Sequence, residues 1–155
     1  MSKVSSYFES MKDRRKAAIL AGVGCVWLAL TAATPSEERF KTRLAPVAID
    51  LAMRATIAGS GSATAVLAGS KLSITGSFEG LRTPATVAHL HQGRGTGVRG
   101  PAIFDLTVKG ATNGSISGSF ELTAEQIENL RKGRFYVQIN SEKAPDGNLW
   151  GWLLH

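Results

Sequence analysis

From residue 48 onward, apolar and polar residues alternate with a period of two. Ile49, Leu51, Met53, Ala55 and Ile57 fall on one side of such a register. Leu72, Ile74, Gly76 and Phe78 do so in a second run, and Ile116, Gly118 and Phe120 in a third. Successive side chains of a strand point to opposite faces, so each run predicts a β-strand with one buried face. Turn signals separate the runs: Gly59-Ser60-Gly61, Gly69-Ser70, Gly93 to Gly100, Asn113-Gly114 and Pro145-Asp146-Gly147. Asn-Gly between alternating stretches marks a hairpin. One stretch breaks the period. Thr123 stands at an N-cap position with Gln126 three residues on, Ile127 and Leu130 share a side, and Gly133 follows; this predicts a capping box, a short helix and a glycine stop.

Ser73 to Glu79 reads SITGSFE and Ser115 to Glu121 reads SISGSFE, an internal echo that two equivalent strands of a sandwich would explain. About eight short strands and one helix predict a mainly β domain over 48–155. The expected form is an antiparallel Greek-key β-sandwich of superoxide-dismutase-like or immunoglobulin-like architecture.

The amino-terminal part has a different texture. Ala17 to Ser36 carries no charge and its centre is apolar; about twenty such residues cross a bilayer, so 17–36 predicts a single transmembrane helix. Lys12, Arg14, Arg15 and Lys16 precede it and Glu37 and Glu38 follow. That asymmetry sets the amino terminus in the cytoplasm and the β domain outside. A cleaved signal peptide is the competing reading, with Thr31-Ala32-Ala33 as an imperfect cleavage site. Lipidation at Cys25 fits less well, because Val26 to Leu30 continue the apolar run. Ala21, Gly22, Gly24 and Ala29 are small residues that let a transmembrane helix approach its neighbours closely, a membrane-packing surface. Within 1–16, Val4, Tyr7, Phe8 and Met11 share one helical side, which suits either an interfacial helix on the cytoplasmic membrane surface or a short frayed tail. Residues 37–47, charged and containing Pro46, read as a linker.

Composition narrows the class. Hydrophobic residues make up 43% of the 155 and charged residues 19%, so the chain can bury a core and is not disordered. The one cysteine excludes an intrachain disulfide framework. A formal charge of +6 invites a nucleic-acid reading, but half of it sits in residues 1–16. The remainder has neither a Lys/Arg run nor an aromatic row for bases, so nucleic acid is not the expected partner.

Over residues 48–154 the chain resembles the CHRD domain, the module repeated in chordin. Carrying the resemblance in order are Gly80-Leu81 with Pro84-Ala85-Thr86, His89-Leu90-His91, Gly97 to Pro101, Leu122-Thr123, Tyr136-Val137-Gln138-Ile139-Asn140 and Pro145 to Gly151. Asn140 departs from the pattern, since the family commonly has His there. Such domains are also found in bacterial extracytoplasmic proteins, which agrees with an inner-membrane anchor and a periplasmic domain, and the resemblance implies no established catalytic activity.

His89 and His91, two apart on a strand, project to one face and can present two imidazoles to a Cu or Zn ion. A third ligand is wanting: Asn140 is a weak neutral donor, and His155 is the last residue. The competing reading has both rings hydrogen-bonded to backbone and to neighbours such as Asn140. Arg94 and Arg99, in the glycine-rich stretch after the His strand, suit an acidic partner surface. Trp150 and Trp152 are interface anchors on an edge strand or core residues on a central one. No nucleophile elbow or phosphate loop is present. These observations lead to the expectation of a non-catalytic, membrane-anchored periplasmic protein without a cofactor. It would be an accessory subunit of a larger integral membrane complex of respiratory or photosynthetic electron-transfer type, in contact with membrane lipid. A periplasmic Cu/Zn-binding protein is the alternative.

Overall fold

In a computed structural model, residues 36–47 and 51–155 are described. They build eight strands and one α-helix: β1 (Glu37–Pro46), β2 (Ser60–Ala68), β3 (Lys71–Glu79), β4 (Ala85–Gln92), β5 (Ala102–Gly110), β6 (Gly114–Glu121), α1 (Ala124–Arg131), β7 (Phe135–Ser141) and β8 (Ala144–Trp152). All neighbours pair antiparallel in the order β1-β2-β3-β6-β5-β4-β7-β8, and β8 returns to β1. The connections β3→β4 and β6→β7 each cross over two strands.

The sheet is therefore a closed barrel, and the expected sandwich of two separate sheets is corrected. Two strands close it by changing partners along their length. Glu37–Leu44 of β1 pairs with β2, while Ala45 and Pro46 pair with β8. Ala88–His91 of β4 pairs with the first half of β5, and Thr107–Gly110 of β5 pairs with β6. Closure removes the free edges that a sandwich would leave.

Strand β1 occupies the stretch expected as a linker. Its inward positions are Glu38, Phe40, Thr42 and Leu44, of which only Phe40 and Leu44 are buried. The apolar signal thus recurs every four residues instead of every two. Glu38 is diverted to α1, where Arg131 clasps it with two hydrogen bonds, Nε to Oε2 at 3.0 Å and Nη2 to Oε1 at 2.5 Å. A second correction concerns Leu51, Met53 and Ala55, expected on a strand: they lie in a 3₁₀ turn (Leu51–Ala55) with no buried residue. Their alternation meets no face to pack on. Ile49 lies outside the described residues. So do the transmembrane expectation up to Pro35, its packing positions Ala21, Gly22, Gly24 and Ala29, and the segment 1–16. Among the described residues no helix is long and apolar enough to cross a membrane.

One face of every strand fills the barrel. Phe40, Leu44, Ala65, Leu67, Leu72, Ile74, Leu90, Ile116, Phe135, Val137, Ile139 and Leu149 all belong to this core. The sequence echo has a direct meaning here. Strands β3 and β6 are neighbours, so the repeat pairs with itself: Ile74 stands opposite Gly118, and Gly76 opposite Ile116. A Cβ on Gly76 would lie 3.0 Å from Ile116 Cγ1 and 2.6 Å from Ser62 O. Gly76 makes room for the other strand's Ile116, whereas Gly118 makes room for the Phe120 ring and Leu106, as close packing requires. Outward, Ser73, Thr75 and Ser77 face Ser119, Ser117 and Ser115.

Helix α1 forms where the capping box predicts it. Thr123 Oγ1 accepts from Gln126 N at 3.2 Å, and Gln126 Oε1 accepts from Thr123 N at 2.9 Å, a cap that contributes about 1 kcal/mol. Gly133, at φ 65°, takes the left-handed conformation that ends the helix. Leu130 is fully buried in the common core.

Candidate functional site

Inward residues of β4, β7 and β8 are mostly apolar, and the chemistry stands on their outer face. Ala88 and Leu90 point into the barrel, which turns His89 and His91 outward. Phe135, Val137 and Ile139 do the same for Tyr136, Gln138 and Asn140. Leu149 on β8 and Leu153 just after it are buried, leaving Trp150 and Trp152 outside and half-buried. Strand β8 is thus paired on both sides, yet its indoles do not fill the core. Cross-strand register aligns two rows: Asp105, His89, Gln138 and Trp150 in one, His91, Tyr136 and Trp152 in the other.

The 93–101 loop folds back over this face. Gly100 O accepts from His91 Nδ1 at 3.0 Å and from the Tyr136 hydroxyl at 3.1 Å. Room for this is made by the absence of a side chain, since a Cβ on Gly100 would lie 1.9 Å from Gln92 O. His91 stacks on Tyr136 with ring centres 4.7 Å apart, and Tyr136 touches both indoles. From the same loop, Arg99 sets its guanidinium 5.1 Å from the Trp150 ring centre, a cation–π contact. It also makes long contacts to Gln138 Oε1 and Asp146 O at 3.5 and 3.3 Å.

Both histidine tautomers follow from their partners. A carbonyl only accepts, so His91 Nδ1 carries its proton. Asp105 Oδ1 lies 2.9 Å from His89 Nδ1 and, as a carboxylate, also accepts. In the neutral rings both Nε2 atoms are lone pairs. His91 Nε2 is buried and has no hydrogen-bond partner, a vacancy that costs about 1–3 kcal/mol in a protein interior. Asn140 does not meet either histidine: its Nδ2 donates to Pro145 O at 2.7 Å and its Oδ1 accepts from Gln138 Nε2 at 3.0 Å. His155 packs on Phe40 and lies 4.0 Å from Glu38. Among the described residues no three His, Cys, Asp or Glu side chains converge as metal ligands.

Burial holds His91 below its ordinary pKa of 6.5. The hydrogen bond to Gly100 opposes that shift, while His89 and Arg99 reinforce it. Folding therefore favours the neutral ring. Above pH 6.5 neither state is protonated and nothing is lost; below it the unfolded chain binds a proton that the folded chain resists, and stability declines. The thermal midpoint should fall between pH 7.5 and 5.5, and His91→Phe, which keeps the stack on Tyr136, should flatten that slope. An unchanged slope in the variant would show that His91 does not cause it. Glu38 acts at lower pH. The Arg131 hydrogen bond holds its carboxyl below 4.5, so its contribution is lost as pH falls through and below that value.

Two grooves adjoin the face. One, of about 390 Å³, exposes Trp150 and Trp152 beside Lys41, Arg43 and Leu154. The other, of about 600 Å³, runs between the 93–101 loop and α1; Arg94, Arg99 and Arg134 line it, with Glu125. Sequence reading missed Arg134, whose position after Gly133 suggests only a helix end. It also missed Asp105 and Tyr136 as partners of the histidines, because nothing in the sequence states which strands are neighbours.

The architecture defines an eight-stranded antiparallel Greek-key barrel with a loop-covered His/Trp face. The family model of the CHRD domain matches residues 45–153, and the chain belongs to the CHRD family. No curated protein and no solved structure matches it.

Proposed function

We propose that this chain is a non-catalytic binding protein, anchored in a bacterial inner membrane by residues 17–36. Its barrel would lie on the periplasmic side as an accessory subunit of a larger membrane complex. The observation that carries this reading is the outer face of β8. Trp150 and Trp152 stand half-buried along a groove with Lys41 and Arg43, and Leu154 beside them is 45% exposed. Tryptophans in such a setting are the anchors of protein interfaces, and the flanking cations supply a polar rim. The uncharged 17–36 segment behind a Lys/Arg cluster supports the anchor. An electron-transfer assembly of respiratory or photosynthetic type is the host class suggested by one anchor carrying one rigid domain.

Purification from gently solubilised membranes, with mass spectrometry of the intact chain and of co-purifying proteins, tests the proposal. Stoichiometric membrane partners are expected, and Trp150→Ala with Trp152→Ala should lower their yield by an order of magnitude or more, given that anchor truncations cost ~2–4 kcal/mol. A chain that runs alone, cut near Ala33, would defeat it.

A further inference from the structure

The two histidines carry more than a docking face requires. In ligand histidines, one ring nitrogen is commonly held by a carboxylate or a carbonyl, which sets the tautomer and aims the other nitrogen at the ion. The held nitrogen is present twice, and a buried, unpartnered second nitrogen once, on His91. His89 Nδ1 is held by Asp105 Oδ1 at 2.9 Å, and His91 Nδ1 by Gly100 O at 3.0 Å. His91 Nε2 is buried and takes no hydrogen bond. The ring centres are 5.8 Å apart with their planes at 84°, a separation close to the roughly 6 Å spanned by two metal–nitrogen bonds of about 2 Å plus the two ring radii.

We propose that His89 Nε2 and His91 Nε2 form a two-coordinate site for Cu(I). The number of ligands chooses the ion. Structural Zn(II) demands four ligands, and catalytic Zn(II) three protein ligands plus water. No third His, Cys, Asp or Glu joins the pair among the described residues, and the Asn140 amide is committed on both its atoms. Cu(I), a closed-shell monovalent ion, is satisfied by two nitrogens in line. Its single charge also suffers less repulsion from Arg99 than a dication would. The His89 side chain, 24% exposed, is the side from which the ion arrives, while Tyr136 shields His91. Asp105 is a positioning residue that holds His89 without touching the ion. Neither histidine lines the Trp150 and Trp152 groove, so the site does not require that groove to dock a partner.

The test uses the full-length chain in detergent with Cys25→Ser, which removes its only thiol. Cu(I) is titrated anaerobically against a chromophoric Cu(I) chelator, and the coordination number is read by X-ray absorption. One Cu(I) per chain with two nitrogen neighbours is expected. His89→Gln and His91→Gln should each abolish uptake, and Asp105→Asn should weaken it about 10- to 100-fold with an unchanged thermal midpoint. If His91→Gln does not fold, His89→Gln and Asp105→Asn decide, since both positions reach solvent. No uptake by the Cys25→Ser chain, uptake unaffected in His89→Gln, equal affinity in Asp105→Asn, or tighter retention of Zn(II) than of Cu(I) would each overturn the proposal.

Discussion

A chain beginning at residue 48 should fail to fold, whereas one beginning at Ser36 should melt cooperatively. The difference is β1, which contributes Phe40 and Leu44 to the core and pairs with both β2 and β8. Losing a buried Phe or Leu side chain costs about 3–5 or 2–5 kcal/mol, and the two together rival the whole stability of a typical domain, roughly 5–15 kcal/mol. Removal of the strand also bares the edges of β2 and β8 along an opened barrel, a template for aggregation. The family match starts at residue 45, so the matched segment alone lacks most of this strand. Far-UV circular dichroism and thermal melting of the two chains decide the matter. A cooperative transition in 48–155 would mean that β1 is dispensable.

Replacing Gly100 should have the next largest effect. Gly100→Val places a Cβ 1.9 Å from Gln92 O and 2.9 Å from Gly93 Cα, backbone atoms that yield only if the 93–101 loop lifts. The carbonyl that His91 and Tyr136 share then moves away. We expect a loss of about 2–3 kcal/mol, from overpacking together with two unsatisfied side chains. Red-shifted indole fluorescence should accompany it as Trp150 loses Arg99. Gly95→Ala in the same loop meets nothing within 4 Å and should change stability by less than about 0.5 kcal/mol. Equal melting of the two variants would remove the loop's role as the cover of this face.

Local signals were legible because they depend on neighbours in sequence. The Thr123/Gln126 capping box, the Gly133 stop and the hairpin at Asn113-Gly114 needed only chain geometry, and all three are present. The ordered motifs from Gly80 to Gly151 likewise announced the CHRD family. The β1 segment was not legible, because Glu38 and Thr42 take inward positions and break the apolar alternation. Glu38 sits there for a partner ninety-three residues away, Arg131.

Period-two alternation determines that a strand has an inside and an outside, and so it placed His89 beside His91, and Trp150 beside Trp152, on shared faces. It is silent on which strand lies next to which, since every pairing satisfies the same alternation. Only the closed tertiary sheet decided that β1 and β5 would each bond to two partners and turn a sandwich into a barrel. The same pairing gave Asp105 to His89 and Tyr136 to His91, set the echoed isoleucines against glycines, and sent Trp150 and Trp152 outward, because Leu149 and Leu153 had already taken the interior.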